Sequence, residues 1–86
     1  MAEYNDNFLD ADEFIDCVSR GGEVEFIFDN KKYSITHGEY EIYVMEAYNE
    51  MSEKVYANPI AALSYPIGDK TIGDILEDMK ITFRSL

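Results

Sequence analysis

Two runs of alternating apolar residues, separated by only two residues, constrain this chain more than any other feature. Val24, Phe26 and Phe28 fall on one side of a period-two run, with Glu23, Glu25 and Ile27 on the other. A second run spans residues 31–36. Between them stand Asp29 and Asn30, the residue types besides glycine that best tolerate positive φ, and so suited to a two-residue hairpin turn. That turn sets Phe26 across from Tyr33 and Val24 across from Ile35, which keeps the apolar side of both strands on one face. An antiparallel hairpin with one face turned to a core is the expectation.

The segments around it follow from period and caps. Residues 1–8 are polar apart from Tyr4 and Phe8 and show no period, so they read as a flexible lead-in. Asp10 is an N-cap with Glu13 three residues on, and Ala11, Phe14, Ile15 and Val18 follow at helical spacing. Gly21 and Gly22 end that helix. Beyond the hairpin, His37 to Glu39 form a link, and residues 40–48 alternate as a third strand. Val55 to Ala57 add a short fourth one. Asn58 and Pro59 start a short helix over residues 59–64, broken by Pro66 and Gly68. Thr71, with Asp74 three residues on, caps a last helix whose buried stripe is Ile72, Ile75, Leu76 and Met79. Residues 80–84 alternate once more as an edge strand. The order α-β-β-β-(β)-α-α-(β) is that of an α+β fold, an antiparallel sheet of three to five strands with an N-terminal helix and two short C-terminal helices.

A chain of 86 residues, 47% of them apolar, makes one domain with a single core. The opening Met1 leads us to expect a complete small gene product. Cys17 is the only cysteine, and no run resembles a signal peptide or a membrane span, so the cytoplasm is the expected compartment.

Charge is distributed unevenly. The first 29 residues hold nine acids against Arg20 alone, in a chain of net charge −11. Asp12, Glu13 and Asp16 lie three or four apart on the first helix, where such neighbours are close in space. Glu23 and Glu25 project from the polar side of the next strand. If that side lies beside the helix acids, the five form one surface; otherwise they are ordinary solvated faces. A one-sided negative field favours a basic partner and repels nucleic acid and anionic membrane.

No residue acquires a catalytic, metal-binding or cofactor role. Counted from Asp10, an EF-hand fails because Phe14 and Val18 take ligand positions. His37 reads as a loop residue, and Cys17, beside the apolar stripe, as a buried inert thiol. Gly21 and Gly22 lack the lysine of a phosphate loop. Lys31 and Lys32 are the only adjacent bases, so direct nucleic-acid binding is disfavoured. The outer side of the sheet carries Ile27, Tyr43 and Met45 among Glu25, Ser34 and Thr36. Either the C-terminal helices cover it, which is the expectation, or it is an exposed patch that marks a binding or dimer surface.

The run from Gly22 to Ile35 after a short acidic helix, with the stretch from Asp69 to Leu76 near the end, resembles small acidic α+β proteins of Firmicutes and their phages. Anti-CRISPR and other anti-defence inhibitors come from the same genomic setting. The resemblance implies no binding residues. Together with the charge it leads us to expect a non-enzymatic, protein-binding inhibitor. Such a protein blocks the basic groove of a nuclease or CRISPR effector by imitating nucleic acid, through Asp12, Glu13, Asp16, Glu23, Glu25 and Tyr43. The alternative is a structural or regulatory interaction module, a homodimer through the tyrosine-bearing sheet face.

Overall fold

In chain order the elements are α1 (Ala11–Ser19), β1 (Val24–Phe28), β2 (Lys31–His37), β3 (Ile42–Glu46), β4 (Asn49–Tyr56), α2 (Pro59–Ala62), β5 (Pro66–Ile67), β6 (Lys70–Thr71), α3 (Ile72–Ile75) and β7 (Lys80–Arg84), in a computed structural model that describes residues 7–85. Asp29 and Asn30 take φ of 55° and 64°, the left-handed pair that a two-residue hairpin turn requires. The register is the one expected, Phe26 opposite Tyr33 and Val24 opposite Ile35, and the two rings stack with centroids 5.2 Å apart.

From that hairpin the chain continues as an antiparallel meander through β3 and β4, and β7 returns beside β1. The sheet order is β4-β3-β2-β1-β7. The fold is α+β with a five-stranded antiparallel sheet. Alternation then decides what is buried. Val24, Phe26, Tyr33, Ile35, Ile42, Val44 and Ile81 point to one face and join Phe14, Cys17 and Val18 of α1 and Ile72 and Ile75 of α3 in a single core.

Helix α1 has a defined start and stop. Asp10 Oδ1 accepts the Glu13 N–H at 2.9 Å. At the other end Gly21, at φ 87°, closes a Schellman turn in which the Gly22 N–H donates to Cys17 O and the Gly21 N–H to Val18 O. His37, expected in a loop, is the last residue of β2 instead. Its Nε2 donates to the Val18 carbonyl at 2.8 Å, tying the end of α1 to the sheet.

Four other expectations need correction. Residues 1–6 lie outside the described residues, but Phe8 is no lead-in: it is fully buried. The Phe8 N–H donates to Leu76 O at 3.1 Å, and its ring meets Phe14 edge-on with centroids 5.4 Å apart. Strand β4 is eight residues long because backbone pairing with β3 holds it even where its side chains face water. Pro66 and Gly68 do not merely break a helix; with Gly68 at φ 66° they turn a two-stranded hairpin, β5 against β6. Finally, the C-terminal elements pack on the same face as α1, so the other face of the sheet stays open. Ile27, Val55 and Phe83 are exposed there by 37%, 52% and 48%.

Candidate acidic interface

Packing of α1 decides where the acidic residues go. Its apolar stripe of Phe14, Cys17 and Val18 is buried, so Asp12 and Asp16 point away from the sheet into solvent. Asp16 pairs with Arg20 at 2.9 Å, with both side chains largely exposed. Glu13 turns inward and is structural. Its Oε1 accepts the Leu9 N–H at 2.8 Å, and its Oε2 lies 3.4 Å from Nη1 of Arg84.

Glu25 is on the far side of the sheet. With Val24 and Phe26 in the core, the pleat turns Glu25 outward, where it pairs with Lys32 at 3.4 Å. Tyr43 shares that outer face, between buried Ile42 and Val44. The Glu41 carboxylate beside it holds its phenol above the ordinary range. A Cβ on Gly38 would stand 2.8 Å from the same ring, so the glycine leaves room for it. Glu23 is exposed just before β1, its N–H donating to Ser85 Oγ at 2.7 Å. The six residues therefore form no single surface: Asp12 and Asp16 belong to the helical side, Glu25 and Tyr43 to the opposite face.

The fold assembles a different acidic group on the helical side. The bond from Phe8 to Leu76 lays the start of α1 against the exit of α3. Between them runs a shallow cleft of about 230 Å³ lined by Leu9, Asp10, Asp74, Glu77 and Asp78, with no lysine or arginine in its wall. Two of the four carboxylates are positioned by capping: Asp10 holds the first turn of α1, and Asp74 accepts from the Thr71 N–H and hydroxyl at 3.0 and 3.1 Å. Leu9, 57% exposed, stands among them. Sequence alone pairs Thr71 with Asp74 but cannot see that residues 9–10 and 74–78 meet. Among the described residues no group of three His, Cys, Asp or Glu is placed to hold a metal ion.

Cys17 is fully buried and has its helix and the sheet around it. It is expected to react with a disulfide reagent only after denaturation; rapid modification of the folded chain would contradict its placement. Among the described residues no helix is long and apolar enough to cross a membrane. No family model matches this chain, and neither a curated protein nor a solved structure matches it.

Proposed function

We propose that this chain is a non-enzymatic binding protein that docks its acidic helical side on the basic groove of a partner, a nuclease or CRISPR effector in the most concrete form, and so excludes nucleic acid from it. The observation that supports this reading is the cleft of Asp10, Asp74, Glu77 and Asp78 around exposed Leu9, with Asp12 and Asp16 on the adjoining helix face. A group of carboxylates without an intervening base offers a basic groove negative charge, as a phosphate track does. Leu9 adds an apolar contact that nucleic acid lacks, and a central apolar anchor within a polar rim is the usual anatomy of a specific interface.

A competition assay tests it. Labelled duplex is bound to each of a set of host nucleic-acid-processing proteins, and the chain is added across a range of salt concentrations. Displacement is expected for at least one of them, and it should fade as salt rises, since exposed charges are screened beyond about 8–10 Å at ordinary ionic strength. Reversal of Asp12, Asp16 and Glu77 to Lys, all exposed, is expected to weaken displacement by about a hundredfold, roughly 1 kcal/mol for each charge. Displacement unchanged by that triple reversal contradicts the reading.

A further inference from the structure

The open face of the sheet supports an interaction separate from the acidic side. Ile27 on β1, Val55 on β4 and Phe83 on β7 are all exposed, and Tyr43 and Met45 on β3 lie between them, half-buried. The strands of the same face carry Lys32 and Lys80 against Glu25 and Glu53. In a chain with 18 acids and seven bases it is therefore a surface without the general excess of negative charge. We propose that it is the contact between two copies of this chain, packed sheet on sheet.

Charge selects the occupant. A basic partner gains little from a face whose glutamates are matched in number by lysines, whereas a second copy is repelled by the acidic helical side and can approach here. Charge also selects the symmetry. A two-fold axis perpendicular to the strands would lay β7 on β7 and leave Lys80 far from Glu53 on β4. An axis along the strands lays β7 over β4 of the second copy. Phe83 and Lys80 then come to the strand of that copy that carries Val55 and Glu53, and the Glu53 charge already reaches Tyr43. Each contact occurs twice, as a closed two-fold interface requires. Size permits it. Five strands about 4.8 Å apart and about five residues long give a face of roughly 400 Å² in projection. With side-chain relief each copy buries roughly 600 Å², for a total near the lower limit of stable specific interfaces. The pairing would resemble an aligned β-sandwich.

Sedimentation equilibrium of the full chain, from micromolar to hundreds of micromolar and at low and high salt, tests the proposal. A monomer–dimer equilibrium that tightens as salt rises is expected, because salt screens the repulsion between two acidic chains while leaving the apolar contact in place. This is opposite to the salt dependence of the acidic-side binding, so either reading can fail without the other. Phe83→Asp and Val55→Asp change exposed positions, and far-UV circular dichroism checks that both fold. Each is expected to weaken dimerisation at least about tenfold. Lys80→Glu and Glu53→Lys should each weaken it, and the double variant should restore it. A chain that stays monomeric at high concentration and high salt overturns the proposal, as does a dimer indifferent to Phe83→Asp and Val55→Asp. A monomer in which Phe83→Asp abolishes displacement of nucleic acid also overturns it and gives the face to the basic partner.

Discussion

Phe8→Ala is expected to destabilise the chain by about 3–5 kcal/mol, the cost of emptying a fully buried phenylalanine site. The ring has no exposure at all, contacts Phe14 edge-on and lies under the Arg84 guanidinium, whose carbon is 4.9 Å from its centroid. A domain of this size is stable by only about 5–10 kcal/mol in total, so the variant would be close to unfolding at room temperature. Urea denaturation measures it, with an unchanged slope expected if the transition remains two-state. The neighbour Leu9, largely in solvent, provides the contrast: Leu9→Ala should shift stability by no more than about 0.5 kcal/mol. Equal effects at the two positions would mean that Phe8 is not part of the core.

Arg84→Ala is the second large effect, expected at about 2–3 kcal/mol. The Arg84 side chain is only 10% exposed and lies against Glu13, itself 30% exposed, so removal leaves a half-buried carboxylate without that cation. It also uncovers one side of Phe8, whose contact with the guanidinium is worth about 0.5–2 kcal/mol. A double-mutant cycle with Glu13→Gln should find a coupling of about 1 kcal/mol, as direct contacts do. The consequence for function is specific. Glu13 has its charge committed to the fold, so Glu13→Gln should alter stability and leave binding to a basic partner nearly unchanged. Arg84→Ala with a loss below 0.5 kcal/mol would show that the chain ends are not held together in this way.

Physical periodicity explains which parts of this fold are legible in the sequence. The β1–β2 hairpin is readable to the residue because both strands are half-buried, and a one-residue slip would turn every apolar side chain outward. The caps at Asp10 and Asn58 are readable because short polar side chains there satisfy orphan backbone N–H groups, as the bonds to Glu13 N and Ala61 N show. Phe8 was not readable, since a lone aromatic residue has no period. Strand β4 was read only at its end, Val55 and Tyr56, for the opposite reason: most of its residues face water, and its register with β3 shifts between Val44 and Glu46. The candidate site was legible only in its local pieces. Asp12, Glu13 and Asp16 are visible as neighbours on one helix, but packing turns Glu13 inward. The pleat sends Glu25 to the other side of the sheet, and the meeting of Asp10 with Asp74, Glu77 and Asp78 depends on a contact between residues far apart in the chain.

The most direct measurement is a ¹H–¹⁵N correlation titration of the labelled chain with an oligolysine peptide at low salt. If the acidic helical side is the docking surface, the largest shifts will fall on residues 9–16 and 74–78, will fade as salt is added, and will spare Ile27, Tyr43 and Phe83 on the open sheet face. Shifts spread evenly over all exposed acids, or centred on Glu50 and Glu53 of β4, would contradict a docking surface on the helical side.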